Sequence, residues 1–348
     1  MIRRIVVNSV IPVLSRRKSV KLHTGTVARQ DKKQVVEKIH PFSHINVNFG
    51  KVSRVKILPY DLLDCPDANI LRATVSDDSA FSIRVLGNDV NVDCADQPGA
   101  SEVTLEIPVK ADLSVKSDGA LELSDLHSDK LAVSTSGGIS TRNLRSESIR
   151  LHSERGDIVC QGLTQGFHVQ IKTGESGSVS LEKVLGEELQ VDTVSGSIST
   201  ESCYSTSSKF TSRTGNLTLN CVHRNAEVNI VEQGNLTMFG FNGTLLAKVH
   251  CGNIRLQLAE LWGENVVITN ESKEVCVNVS DAVVDSTYVH AAAVDVHVDE
   301  SLQHLRGQKE TGATTLGQKS LPNKLFVQTK GRLEIKRLSW VDAIKLKM

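Results

Sequence analysis

Cysteine and histidine come together once in this 348-residue chain, as Cys221, His223, His250 and Cys251, the soft-thiolate and imidazole donors that bind zinc. Metal ligands must converge on one point at about 2.0–2.3 Å. These four fall at offsets 6, 8, 16 and 17 of a repeat about nineteen residues long, so no shared face gathers them. The nearest approach to an acid–base group is Lys172, Asp192 and Lys209, expected to point outward on the second strand of successive repeats. Alternating charge in such a row is ordinarily a solvated, salt-bridged surface. Neither a Ser–His–Asp spacing, nor a glycine-rich phosphate loop, nor a paired-carboxylate motif stands out. The sequence therefore assigns no catalytic residue, no metal ligand and no cofactor site.

Other short motifs dissolve into the repeat. Arg155-Gly156-Asp157 spells an integrin-recognition tripeptide, but Gly156 is a repeat anchor. Five acceptor sequons for N-glycosylation occur, at Asn216, Asn235, Asn242, Asn270 and Asn278. Asn216 and Asn235 occupy the same slot, one residue after the anchor, and Asn253 continues it. Stacked Asn side chains bonding along a ladder explain that slot without any sugar. Cys160 and Cys203 fall in inward rows and read as small buried hydrophobes. Cys203 and Cys221 lie in adjacent coils but are expected to face opposite ways, against a disulfide. Seven cysteines, an odd number with no regular spacing, do not make a disulfide framework and fit a reducing compartment.

The elements that position all of these residues come from one recurring pattern. It reads Ser-Asp-Gly-Ala-Leu-Glu-Leu at 117–123, Ser-Gly-Ser-Val-Ser-Leu at 176–181, Thr-Gly-Asn-Leu-Thr-Leu at 214–219 and Gln-Gly-Asn-Leu-Thr-Met at 233–238. Anchors can be set at Gly119, Gly137, Gly156, Gly177, Gly196, Gly215, Gly234, Gly252, Lys273, Ala292, Gly312 and Gly331. Two residues after the anchor, eleven of twelve positions are apolar against 39 % for the chain, and Thr314 is the exception. Three residues on, ten of twelve are polar, which makes an in-out-in strand with one buried face. Seven residues on, Leu126, Leu144, Leu163, Val184, Cys203, Val222, Phe241 and Ala259 are expected to add another inward row. A unit this small cannot bury its own apolar face and must stack on its neighbours. Twelve coils at the strand spacing of ~4.8 Å give a rod of roughly 55 Å. Glycine at the corner is expected to allow both positive φ and close backbone approach. The expected fold is all-β: a single-stranded parallel β-helix (β-solenoid) of ~19-residue coils with an N-terminal β cap.

Flanking segments differ from this core. Residues 1–30 hold Arg3, Arg4, Arg16, Arg17, Lys18, Lys21 and Arg29 with no acidic residue before Asp31, which reads as a mitochondrial targeting peptide or a disordered leader. Residues 31–118 carry short β-like segments and read as an N-terminal β region or cap, 119–300 as the β-helix, 301–324 as a loop and 325–348 as a closing coil and tail. Lys plus Arg and Asp plus Glu both number 40, so no basic excess calls for nucleic acid. No run approaches the ~18 apolar residues of a membrane span.

The prolonged Ser/Thr-x-Gly-x-Ile/Val/Leu-x-Leu/Thr repeat, preceded by Val103-Thr-Leu-Glu-Ile-Pro-Val-Lys-Ala-Asp-Leu-Ser-Val, resembles the putative-adhesin β-helix family, a domain of unknown function. The basic leader resembles its eukaryotic, uncharacterised "family with sequence similarity" branch. The resemblance implies a β-helix and carries over no catalytic residue. The expected function is a non-catalytic β-solenoid scaffold presenting a Ser/Thr-rich face to a protein partner. The alternatives are a carbohydrate-active β-helix enzyme and a filament that self-associates through its terminal coils. The expected location is the mitochondrial matrix, with the cytoplasm as the alternative.

Overall fold

The structure, a computed structural model, describes residues 33–338 except 51, 62, 64, 65, 77–80, 95–101, 273 and 308–311. The basic leader, the tail past 338 and the anchor position Lys273 lie outside the described residues. What is described is a parallel β-solenoid with two ladders. In the first, Ala120–Ser124 pairs with the start of Ile139–Ser153, then come the starts of Ile158–Thr173, Val179–Thr193 and Ile198–Thr214, then Leu217–Asn220. The second ladder begins with Asp112–Ser117 and His127–Thr135 and takes the far ends of the same long strands, followed by His223–Gln233. Each long strand bends once, at a mid-coil corner, and a glycine corner joins it to the next coil.

The in-out-in pattern has the consequence expected of it. Leu121, Ile139, Ile158, Val179, Ile198, Leu217, Leu236 and Ile254 stack inward, as do Leu123, Cys160, Leu181, Leu219, Met238 and Leu256, in one continuous core. The seventh-position row needs two corrections. Gly162 sits at φ +64 and adds a residue to its bend, so Thr164, not Leu163, aligns with Leu144 and Val184. In the coil after Gly252 a similar register shift puts Leu258, not Ala259, against Phe241.

The glycine corner is held by a second, polar column. Ser117, Thr135, Ser153, Thr173, Thr193 and Ser212 are buried just before successive anchors. Their hydroxyls bond the glycine backbone: Thr135 Oγ1 donates to Gly119 O at 2.5 Å, Ser153 Oγ to Gly137 O at 2.7 Å and Thr193 Oγ1 to Gly196 O at 2.8 Å. A good part of the chain's Ser and Thr is thus spent inside. Positive φ turns out to be a minor reason for glycine here, since among the glycine anchors from Gly119 to Gly252 only Gly234 and Gly252 adopt it, at +159 and +148. Those are the two coils in which Ile230 and Val249 replace the hydroxyl. Elsewhere, the constraint is space. A Cβ on Gly177, Gly196, Gly215, Gly234 or Gly252 would fall on the carbonyl oxygen of the preceding anchor, well inside van der Waals contact.

Both ends depart from chain order. The region 31–118 does not stand apart from the solenoid: His44–Phe49 and Arg54–Pro59 already belong to the two parallel ladders. Yet the coil formed by Asp89–Cys94 and Glu102–Ile107 lies outside this first coil, which is sandwiched between it and Asp112–Ser124. The C-terminal end mirrors this. Asn323–Gln328 and Arg332–Arg337, expected to close the solenoid, slot instead between the coil of Glu264–Val279 and the coil of Thr287–Val298. Register in the last anchors changes accordingly: Leu333 stacks on Val275, with Val296 beyond it. Thr314 is no coil position, because Thr314–Leu316 runs antiparallel against Thr287–Ala292. That is why it alone broke the apolar row. The segment read as a loop over 301–324 also holds most of a 3₁₀ turn, Glu300–Leu305.

Antiparallel strands cover the remaining edges. Ile70–Val75 lies on Glu102–Ile107, with the charged edge strand Lys33–Lys38 beyond it, and Phe81–Leu86 lies on Asp89–Cys94. A reversed or charged edge discourages end-to-end stacking. Asn265, fully buried, ties the interleaved coils together: its Oδ1 accepts from Leu245 N at 2.8 Å and its Nδ2 donates to Lys324 O at 3.2 Å.

Two outcomes are expected. Gly196→Ala lowers stability by about 2–3 kcal/mol in a chemical melt, whereas Gly138→Ala, whose Cβ would meet Asp157 O at 3.3 Å, costs well under half of that. Leu333→Asp, a charge placed in the slotted coil, removes hydrogen-exchange protection from Thr287–Val298 as well as from Asn323–Arg337, and leaves Ile158–Thr214 protected. Retained protection over 287–298 would contradict the interleaving.

Candidate functional site

The mid-coil corner is where the surface becomes concave. Small residues sit inside the bend: Ser128, Ser146, Gly166 and Ser205 are buried there. They are small because the bend draws successive backbones together. Ser146 Oγ donates to Asp129 O at 2.8 Å, and a Cβ on Gly186 would meet Gly166 O. On the outside the bend leaves a furrow of ≈ 420 Å³ across four coils, from His127–Asp129 to Leu185–Glu187. It adjoins concavities of ≈ 430 Å³ beside Asp125, Asn143 and Leu163 and ≈ 350 Å³ beside His168, Glu188 and Lys209.

Two rows of side chains border the furrow. One runs His127, Arg145, Gln165, Leu185 in ladder register, and Tyr204 and His223 extend it as a stacked pair, 4.6 Å between centroids and 16° apart. The second, two residues along each strand, runs Asp129, Glu147, Phe167, Glu187. Lys110 Nζ lies 3.2 Å from the His127 ring nitrogens. Burial first, and then the charges of Lys110 and Arg145, push the His127 pKa below its ordinary value, with Asp129 opposing. Among the described residues the side chains of Arg145, Glu147 and Glu187 form no ion pair or hydrogen bond with a neighbour. Rows elsewhere behave otherwise: Arg142 bonds Asp125 at 3.1 Å, His168 bonds Glu188 at 2.9 Å and Lys209 bonds Glu227 at 2.9 Å.

The residues singled out by type are dispersed. Lys172 and Asp192 are cross-strand neighbours, but Asp192 accepts from Gln190 Nε2 at 2.7 Å and Lys209 aligns with Gln190 while pairing with Glu227. His223 stands at the corner on Tyr204, whereas His250, 3.2 Å from Asn270 Nδ2, and Cys251 lie at the far end of the second ladder's strands. Cys160 and Cys203 are buried. Burial pushes the Cys160 thiol up to about 11, with Thr141 and Thr164 pulling weakly the other way. The slot after the anchor is a bonded ladder, as its spacing suggested, but the acceptor is reached by backbone: Asn235 N donates to Asn216 Oδ1 and Asn253 N to Asn235 Oδ1, both at 2.9 Å. Ser178 N donates to Asp157 Oδ1 at 2.7 Å in the same way, which engages the aspartate of the Arg155-Gly156-Asp157 tripeptide. Asn278 is buried. The furrow itself was missed. Its sequence signal is the two-residue offset between basic and acidic positions, Arg145 and Glu147, around the small inward residue Ser146, and it becomes visible only once strand register is known.

Residues 167–330 match the family model described as Toastrack DUF4097, a little under half of the chain. The solved structures it is similar to include a putative cell adhesion protein from Clostridium sporogenes ATCC 15579, 10 % identical, covering 88 % of this chain and 100 % of that one at a TM-score of 0.20. A putative adhesin from Parabacteroides distasonis ATCC 8503 is 10 % identical over 88 % and 98 %, with a TM-score of 0.38. Another from Bacteroides fragilis NCTC 9343 is 12 % identical over 89 % and 99 %, with a TM-score of 0.25. No helix among the described residues is long and apolar enough to cross a membrane.

The electrostatics of the furrow predict a titration. His127 binds its proton more weakly folded than unfolded, so it withdraws stability as pH falls from about 6.5 through the lowered value and withdraws none above it. An NMR titration is expected to place His127 below the ordinary value, and Arg145→Gln to raise it. A His127 that titrates unchanged in that variant would remove Arg145 from the furrow wall.

Proposed function

We propose that this protein is a non-catalytic interaction scaffold that offers its rigid outer surface, above all the mid-coil furrow, to a protein partner. The observation that carries this reading is the furrow's border of charged side chains, Arg145, Glu147 and Glu187, which form no ion pair or side-chain hydrogen bond among the described residues. A stacked ladder holds such groups at fixed spacing on paired backbone, so binding orders little that is not already ordered. Beside it the first ladder turns an outward row of Ser140, Val159, Ser180, Ser199, Thr218 and Thr237, a neutral, largely hydroxyl face suited to the rim of an interface. The Toastrack match over 167–330 covers part of this surface and agrees with a domain that acts by contact.

The acid-free basic leader supports a mitochondrial matrix location for this scaffold. Proximity labelling from a C-terminally tagged copy, with fractionation and sequencing of the mature N-terminus, tests both parts. The expected outcome is a matrix protein starting near residue 30, with one set of neighbours that is lost on Arg145→Ala with Phe167→Ala and kept on Asp192→Asn. A neighbour set indifferent to the furrow variants would contradict the scaffold reading. Turnover of a polysaccharide that disappears with Asp192→Asn would replace it by the enzyme reading.

A further inference from the structure

We infer that the furrow takes an extended peptide segment of the partner by way of an arginine or lysine side chain, seated on Phe167 between Glu147 and Glu187. This rests on the scaffold reading and adds the chemistry of recognition to it. The furrow has walls of opposite character. Arg145 stands on one side. On the other, Glu147, Phe167 and Glu187 come one per coil, aligned by the ladder pairs that flank them: Arg145 with Gln165, Ser148 with His168, Gly166 with Gly186 and His168 with Glu188. Successive coils are ~4.8 Å apart, so the two carboxylates flank the phenyl ring within reach of a single cation.

Two features select that cation. The first is the ring, which is 53 % exposed; Phe42 and Trp262 are exposed elsewhere too, but this ring stands in a concavity between two carboxylates. A phenyl face attracts an ammonium or a guanidinium, and a planar guanidinium can lie on the ring while its edges fork to carboxylates. The second is the break in pairing. Other rows on this surface bring opposite charges together, as Arg213 and Glu232 at 3.2 Å or Lys209 and Glu227 at 2.9 Å. Here like charges flank an apolar ring, and among the described residues no cation pairs with them, so a bound cation would relieve their repulsion.

The opposite wall sets direction. Arg145, with Lys110 beyond His127, can donate to peptide carbonyls or to an acidic neighbour of the bound residue. The strands that carry the furrow are laddered to their neighbours immediately before and after its acidic row, at Arg145 and Gln165, at Ser148 and His168, and at His168 and Glu188, which leaves no continuous edge for strand addition. Recognition has to run through side chains. A neutral sugar could stack on Phe167 but would leave the carboxylates unbalanced, and a nucleic acid phosphate would be repelled by them. Charge complementarity favours the basic peptide.

The test uses the full chain and a fluorescein-labelled peptide, Gly-Ser-Arg-Leu-Arg-Ser-Gly, followed by fluorescence polarisation. A counterpart with Glu in place of both Arg residues and unlabelled cellohexaose are the competitors. The expected result is saturable binding of the Arg peptide that fades with salt near 1 M, where the screening length is about 3 Å. Glu147→Gln with Glu187→Gln weakens it roughly tenfold, and Phe167→Leu, which keeps the apolar bulk, about fivefold. Both variants keep the wild-type circular dichroism and neither lowers the melting temperature, since none of the three side chains is part of the core. Neither competitor displaces the probe. Equal affinity of the neutralised variant, displacement by the acidic peptide or by cellohexaose, or no saturable binding at all overturns the proposal. If the Arg peptide fails while cellular neighbours still depend on Arg145 and Phe167, only this chemistry falls and the scaffold remains.

Discussion

Close approach of backbone to backbone at the glycine corner is the constraint on which the rest depends. At most of these corners the carbonyl of one anchor lies where the next anchor's side chain would be; a buried hydroxyl shortly before the anchor bonds that carbonyl at Gly137 and Gly215, and the anchor's own carbonyl at Gly177 and Gly196. The two features need each other. Without the hydroxyl, a carbonyl packed this tightly would lose a hydrogen-bond partner in the core, at a cost of about 1–3 kcal/mol. Without the glycine, coils could not close to ladder distance, and every in-register pair above and below would be lost. The exceptions are instructive: where Ile230 and Val249 take the hydroxyl's place, Gly234 and Gly252 swing to positive φ.

Tight stacking then dictates what the surface can do. Outward side chains are held in straight rows, so chemistry is confined to what one row and its neighbours bring together. Several rows pair opposite charges or pass a hydrogen bond from coil to coil, as Asp157, Asn216 and Asn235 do. The mid-coil bend is different because it makes a concavity and leaves its charges unspent. A rigid row of charges in a concave site is suited to the recognition we propose for it.

How much of this could be read beforehand follows from what periodicity encodes. The inward rows through Leu121, Ile139 and Ile158 were legible because one residue type recurs at a fixed step, and the Asn216–Asn235–Asn253 slot was legible for the same reason. Bulges are not periodic, so Leu163 and Ala259 were placed inward although Thr164 and Leu258 occupy those positions. Spatial order is not periodic either. Nothing in the composition of residues 323–337 says that they slot beneath a coil made earlier in the chain, although the lone polar Thr314 in an apolar row was a sign that the count of coils had gone wrong. The furrow needed register as well as pattern, since Glu147, Phe167 and Glu187 are far apart in sequence and adjacent only across strands.

The mid-coil bend is where we propose that a partner meets this chain. A photo-crosslinking amino acid in place of Gln165, inside the furrow, and another in place of Thr218, on the outward row of the first ladder, compare the two surfaces in living cells. The expected result is one discrete ultraviolet-dependent adduct from position 165 and a much weaker one, or none, from position 218. An adduct from 218 alone, or from neither position, would contradict it.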